Sequence, residues 1–221
     1  MSSADAQIAA EQEWLAGWHS GPQRVRWDRI PLQQGDTAPD FELLDQTGAK
    51  VRLSSLWAEG PALLLFWRHF GCSCGIDRAA RLRDEYQNFL DAGASVVIVG
   101  QGEPERSAAY AQRNGIQCRV LSDPEREVYQ AFDLLEGSTA QVLFDAPDDL
   151  LRCDGPAGES LAASRHGTDR ASVDNPWQLP GEFVIGRGGI VDLAYRYQYC
   201  EDWPDPRVLI AAIRFGGVRS N

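Results

Sequence analysis

A chain of 221 residues is long enough to bury one substantial core, so one domain with appendages is expected rather than two equal domains. Its 32 Asp and Glu against 21 Lys and Arg give a formal net charge of −11, which repels phosphate backbones and anionic leaflets and argues against nucleic acid and membrane surfaces as partners. No apolar run approaches bilayer length, and the start Met1-Ser2-Ser3-Ala4-Asp5 shows no basic segment leading into an apolar one, so a cytoplasmic, reducing compartment is the expectation.

In chain order, residues 4–20 place Ile8, Trp14, Leu15 and Trp18 among Ala, Gln and Glu, which predicts a short amphipathic helix ending near Gly17 to Pro22. Residues 1–30 read as a helical extension packed on the domain or on a second subunit, and 31–221 as the domain itself. Two short strands around the turn Asp45-Gln46-Thr47-Gly48 form a hairpin. Residues 62–67 are continuously apolar, as in a strand buried on both faces. From Ile76 to Leu90 the apolar positions recur at helical spacing, and Gly93 closes the segment. A second buried strand follows at 95–99, then a helix over 104–113 stopped by Asn114-Gly115 and a short strand at 118–121. A helix over 124–132 has Asp123 as its N-cap. This rhythm predicts a mostly parallel sheet covered on both faces.

Residues 134–179 break the rhythm and read as an insertion, a functional lid or structure without a sequence signature, with a strand predicted at 141–144. Residues 183–195 make a glycine-turned hairpin, and 207–215 a last helix. Alternating Tyr195, Tyr197 and Tyr199, with Trp177 and Trp203 nearby, suit either a partner surface or the face of a strand.

The chemistry concentrates in Gly71-Cys72-Ser73-Cys74-Gly75, at the corner between the 62–67 strand and the following helix. There the unpaired backbone N–H groups and the positive end of the helix favour thiolate over thiol, and thiolate is the nucleophile. Such a corner should lie near the surface. The five cysteines are an odd count with irregular spacing, which argues against a structural disulfide framework, and Cys118, Cys153 and Cys200, each isolated in sequence, read as small buried hydrophobes. Arg68 and His69 precede the corner, where a cation lowers a thiol's pKa and can orient a peroxide. Arg78, Arg81 and Arg83 read as a solvated helix face pairing with Asp77, Asp84 and Glu85.

The motifs Gly35-Asp36-Thr37-Ala38-Pro39-Asp40-Phe41, Leu53-Ser54-Ser55-Leu56, the strand ending at Gly71-Cys72, Leu121-Ser122-Asp123-Pro124 and Phe183-Val184-Ile185 occur in an order that resembles the peroxiredoxins of the alkyl hydroperoxide reductase and thiol-specific antioxidant type. The peroxiredoxin-like branch is the nearest match. The likeness spans about residues 33–133 and 180–215. It implies an α/β, thioredoxin-like fold: a central mixed sheet with helices on both faces, an N-terminal hairpin and a helical extension. It also implies a peroxidatic cysteine at Cys72. His69 and Leu65 stand where the family has Thr or Ser and Pro, and no arginine occupies Pro180-Gly181-Glu182, where the family has its second. Pro180 resembles the cis-proline that faces the cysteines in thioredoxins.

The expected activity is a thiol-dependent antioxidant oxidoreductase. Cys72 attacks a peroxide or a disulfide, Cys74 resolves, and a thiol reductant such as a thioredoxin or a low-molecular-weight thiol returns both. A bond between residues two apart closes a tight ring, which suits cycling. Cys200 is the second candidate resolver, Arg68 and His69 complete the candidate site, no cofactor or metal is called for, and a homodimer is compatible with the resemblance. The alternative is a non-catalytic binding module or a metal carrier using His69, Cys72 and Cys74, with Cys200 or His166 as a fourth ligand. His19 and His166 have no assigned role.

Overall fold

The structure, a computed structural model, describes residues 3–142 and 174–218. Among them are the strands β1 (Glu42–Asp45), β2 (Lys50–Arg52), β3 (Ala62–Phe66), β4 (Ser95–Gly100), β5 (Arg119–Ser122), β6 (Gly181–Ile185) and β7 (Val191–Arg196). The helices are α1 (Ser3–Ser20), α2 (Ser73–Asp91), α3 (Pro104–Asn114), α4 (Glu127–Ala131), α5 (Thr139–Val142) and α6 (Pro206–Val218), with a short 3-10 turn at Leu53–Trp57.

The strands form one sheet in the order β2-β1-β5-β4-β3-β6-β7. Only the β3–β4 and β4–β5 pairings are parallel, each made through a helical crossover; β1 with β2 and β6 with β7 turn back through hairpins, and β1 with β5 and β3 with β6 also pair antiparallel. The mostly parallel sheet expected from the rhythm is therefore mixed, as the resemblance implies. On β3, paired to β4 on one side and β6 on the other, Leu64 lies opposite Val97 and Phe183.

Alternate side chains of β3 enter two different cores, which explains why its sequence is apolar without interruption. Leu64 and Phe66 join Val97, Val99, Tyr129, Phe132 and Phe183 on one face. Leu63 and Leu65 join Ile98, Val120 and the inward sides of α2 (Ala79, Leu82, Phe89), α3 (Tyr110) and α6 (Leu209, Ile213) on the other. Burying each such large side chain stabilises the fold by about 1.5–3 kcal/mol.

Several local expectations on α2, at 124–132 and at 141–144 are corrected. Ile76 and Leu90 are about half and a third exposed on α2 (48% and 38%), whereas Arg78 is buried there, because the helix presents its Arg78 side to the sheet and meets a carboxylate on β6. The helix predicted at 124–132 begins only at Glu127, since Arg126 adopts a left-handed conformation (φ 59°). Asp123 still satisfies its start: its carboxylate accepts from the backbone N–H of Glu127, Val128 and Tyr129 at 2.9–3.1 Å. Where a strand was predicted at 141–144, the chain begins with α5; residues 143–173 lie outside the described residues. The N-terminal helix packs on its own domain, with Trp18 stacked between Trp14 and Trp177 at 5.5 and 4.7 Å and Trp177 Nε1 donating to the Gly17 carbonyl at 2.8 Å.

Candidate redox site

The corner between β3 and α2 is fixed from three sides. Trp67 N–H donates to the Val99 carbonyl at 2.9 Å, and the Tyr129 hydroxyl sits 2.5 Å from the Trp67 carbonyl and 2.8 Å from that of Val99. Phe70 stacks on Tyr110 with ring centres 4.4 Å apart and lies against Gly100, where a Cβ would meet its ring at 2.6 Å. Gly75 is similarly constrained, since a Cβ there would stand 2.9 Å from the Tyr110 hydroxyl. The glycine after the second cysteine thus serves a close approach of α2 to α3.

Cys72 caps α2 in an extended conformation (φ −80°, ψ 136°), and Cys74 lies in the first turn. Their Cα atoms are 5.3 Å apart and their sulfurs are joined as a disulfide. The pair is buried rather than near the surface as expected, with Cys72 6% and Cys74 4% exposed. Cys200 and Trp203, which follow β7, pack over it, and the Arg81 guanidinium stacks on Trp203 at 4.6 Å. Of the isolated cysteines, Cys200 therefore joins the pair. Cys118 lies in the core between β5 and the helices, where burial pushes its thiol up to about 12. Cys153 and His166 lie outside the described residues.

Arg68 and His69 are both buried beside the corner. Arg68 Nη1 donates to Cys72 Sγ at 3.0 Å, Nη2 donates to the Pro176 carbonyl, and the Arg68 carbonyl accepts from Gln101 Nε2. His69 instead folds back on the backbone: its Nδ1 accepts from the Gly71 N–H at 3.2 Å. Among the described residues no three His, Cys, Asp or Glu side chains stand together to hold a metal ion, so the set His69, Cys72 and Cys74 is not assembled as a ligand group. Pro180 lines the cavity beside Cys74, yet no cis peptide bond occurs among the described residues, so its likeness to a cis-proline is of position only.

Beneath Cys74 lies a polar cluster that sequence reasoning missed. Glu182 on β6 is 2% exposed; its Oε1 accepts from Arg78 Nε at 2.8 Å and from the Tyr197 hydroxyl at 2.6 Å, while Arg78 Nη1 donates to Glu85 at 3.0 Å. Burial works against the Arg78 charge, but Glu182, Tyr197 and Glu85 together more than offset it and raise its pKa above the ordinary value. Burial, then the charge of Glu182, raises the Tyr197 hydroxyl well above its ordinary value. The cluster had one sequence signal: a glutamate inside Gly181-Glu182-Phe183-Val184-Ile185, a strand buried throughout, must find a cation. A cavity of about 10 Å3 lies between Cys74, Cys200, Glu182, Tyr197, Pro180 and Trp203.

A sequence model of the family described as AhpC/TSA matches residues 34–194. The chain belongs to the AhpC/TSA family. A Mycobacterium tuberculosis protein named as a peroxiredoxin is 31% identical over 115 residues, which cover 51% of this chain and 73% of that protein. The Arabidopsis thaliana thioredoxin-like protein AAED1, chloroplastic, is 28% identical over 102 residues, 46% of this chain; the aligned part spans less than half, 41%, of that protein. In three dimensions the crystal structure of peroxidoxin BcpB from Mycobacterium tuberculosis superposes with a TM-score of 0.59 at 22% identity, over 83% of this chain and 97% of that one. The fold is thus the thioredoxin-like fold of the peroxiredoxins, as the motifs implied. The AhpC/TSA match takes in the corner and Glu182 but stops short of Cys200 and Trp203, the residues that close over the disulfide. No helix among the described residues is long and apolar enough to cross a membrane.

Proposed function

We propose that this chain is a thiol-dependent peroxidase with Cys72 as its attacking thiolate and Cys74 as its resolving thiol. The observation that carries the reading is the Cys72–Cys74 disulfide with the Arg68 guanidinium 3.0 Å from Cys72 Sγ. In the reduced state the same guanidinium favours the Cys72 thiolate, together with the α2 N-terminus. The thiolate attacks one oxygen of a peroxide, the O–O bond breaks, and hydroxide or alkoxide leaves to take up a proton, giving a sulfenic acid. Cys74 then displaces water from the Cys72 sulfur and the disulfide forms. A dithiol or two low-molecular-weight thiols return both cysteines to thiols. His69 has the role of shaping the loop: it holds Gly71 N–H and thereby the turn that presents Cys72.

A cytoplasmic setting follows from the need for a reducing thiol pool. A homodimer is an assembly compatible with the family resemblance, and sedimentation of the reduced and oxidised protein checks it.

The test is to mix the reduced chain with hydrogen peroxide and with an organic hydroperoxide, and to follow loss of thiols and the disulfide formed, for the parent and for Cys72→Ser. Rapid consumption that depends on Cys72 and yields the Cys72–Cys74 bond is expected. Consumption no faster than that of an ordinary thiol overturns the peroxidase reading.

A second reading, exchange with a disulfide substrate, is favoured by one feature: His69 and Leu65 stand where the resemblance expects the Thr and Pro of a peroxide pocket. Transfer of oxidising equivalents from the oxidised chain to a reduced dithiol peptide tests it.

A further inference from the structure

Three cysteines converge at the corner where the reaction needs two. The third, Cys200, is brought there by the chain after β7, and its backbone is anchored by donation from Cys200 N–H to the Gln141 carbonyl at 2.9 Å. Cys200 and Cys74 line one cavity, large enough for about a single water, and Glu182 lines it too. Glu182 uses Oε1 for both Arg78 and Tyr197, while its Oε2 is buried and accepts no hydrogen bond. A buried carboxylate oxygen left without a donor is costly, and its lone pairs are open to one.

We propose that Cys200 is the second station of an internal disulfide relay, in which the Cys72–Cys74 bond passes to Cys74–Cys200 and Glu182 takes the proton. The step is a thiol–disulfide exchange and needs no external oxidant. Cys200 Sγ gives its proton to Glu182 Oε2 and attacks Cys74 Sγ; the new Cys74–Cys200 bond forms as the Cys72–Cys74 bond breaks. Cys72 leaves as a thiolate, the form that the Arg68 guanidinium favours. Cys72 is thus regenerated while the oxidising equivalents stay in the protein, stored on the side of the corner formed by residues 200–203. The inference rests on the reading of Cys72 and Cys74 as a redox pair, but not on peroxide as the oxidant.

The test starts from the reduced full chain, oxidised with one equivalent of diamide, quenched in acid at intervals, alkylated and mapped for disulfides in the monomer. A background of Cys118→Ser and Cys153→Ser removes the other thiols. Appearance of Cys74–Cys200 with Cys72 alkylated in the parent, or formation of an intramolecular Cys74–Cys200 bond in Cys72→Ser, supports the relay. Absence of that bond from both overturns it. Because no peroxide is used, a failed relay and a failed peroxidase are told apart.

Glu182→Gln, which leaves Arg78 paired with Glu85, separates the proton role from packing. The groups around Glu182 are Arg78 and Glu85 on α2, Tyr195 on β7, Tyr197 beyond it, and Arg68 beside Cys72. The variant is expected to exchange about a hundredfold more slowly at pH 7 and to regain the parent rate as pH rises and Cys200 ionises unaided. A rate that stays low at every pH, or one that never falls, removes Glu182 from the step.

Discussion

The guanidinium of Arg68 donates to the sulfur of Cys72 at 3.0 Å, from only four residues earlier in the chain. Pro176 and Gln101 hold Arg68 in that pose, so the cation is set in place by the strand that precedes the helix and by a segment far away in sequence. In the reduced protein a fixed positive charge next to sulfur lowers the thiol's pKa. Arg68→Ala is expected to raise the Cys72 pKa by about 1–3 units and to slow its reaction at pH 7 by roughly tenfold or more. Arg68→Lys recovers only part, since it cannot bridge Cys72 and Pro176 with one planar group. The pH dependence of Cys72 alkylation checks this, and an unshifted titration in Arg68→Ala would refute it.

The buried Arg78 and Glu182 pair predicts a different signature. With side chains 7% and 2% exposed, removing Arg78 leaves the Glu182 carboxylate without its cation in a buried position. Arg78→Met is expected to destabilise the fold by about 3–5 kcal/mol, and the double variant Arg78→Met with Glu182→Leu by clearly less, because both charges are then gone. Urea midpoints of the single and double variants decide; equal losses in both would show that the pair acts through packing alone.

Trp177 joins α1 to the domain through Trp18 and through the hydrogen bond to Gly17. Trp177→Ala is expected to cost about 3–5 kcal/mol, because it opens a cavity in an aromatic stack and removes the donor on the α1 carbonyl. Limited proteolysis should then cut first within residues 3–24, before the sheet is attacked. A cleavage pattern like that of the parent would mean that α1 is held by other contacts.

Cys118 gives a prediction with a definite sign. Burial raises its folded pKa to about 12, above the ordinary thiol range, so the native state binds the proton more tightly than the unfolded chain. The stability this thiol contributes is fully present below about pH 9 and is lost progressively as pH rises towards 12. Cys118→Val is therefore expected to lose less thermal stability than the parent between pH 9 and 11. At pH 8 iodoacetamide should leave Cys118 unmodified in the folded protein, whereas Cys72 in the reduced chain reacts. Rapid native-state alkylation of Cys118 would contradict its placement.

Much of this protein was legible from residue order alone. The continuous run of β3, the helical spacing after it, the glycine-turned hairpin of β6 and β7, and the position of Cys72 and Cys74 at a strand-to-helix corner are all local patterns, and local patterns carry the period of the element that forms them. The motifs around them were enough to name the family. The insertion was not legible, because residues 134–142 and 174–179 owe their conformation to contacts with α1 and Arg24 rather than to any period of their own.

What residue order could not decide is which side chains meet. Arg78 looked like one of three solvated arginines on α2, and only the sheet shows that it faces Glu182, which lies 104 residues away. Cys200 was one of three isolated cysteines, and Glu182 one charge in a buried strand; the fold brings both to Cys74. A helix or strand is set by neighbours in the chain, but the pKa of a thiol, the burial of a disulfide and the partner of a carboxylate depend on distances across the molecule, which only tertiary packing fixes.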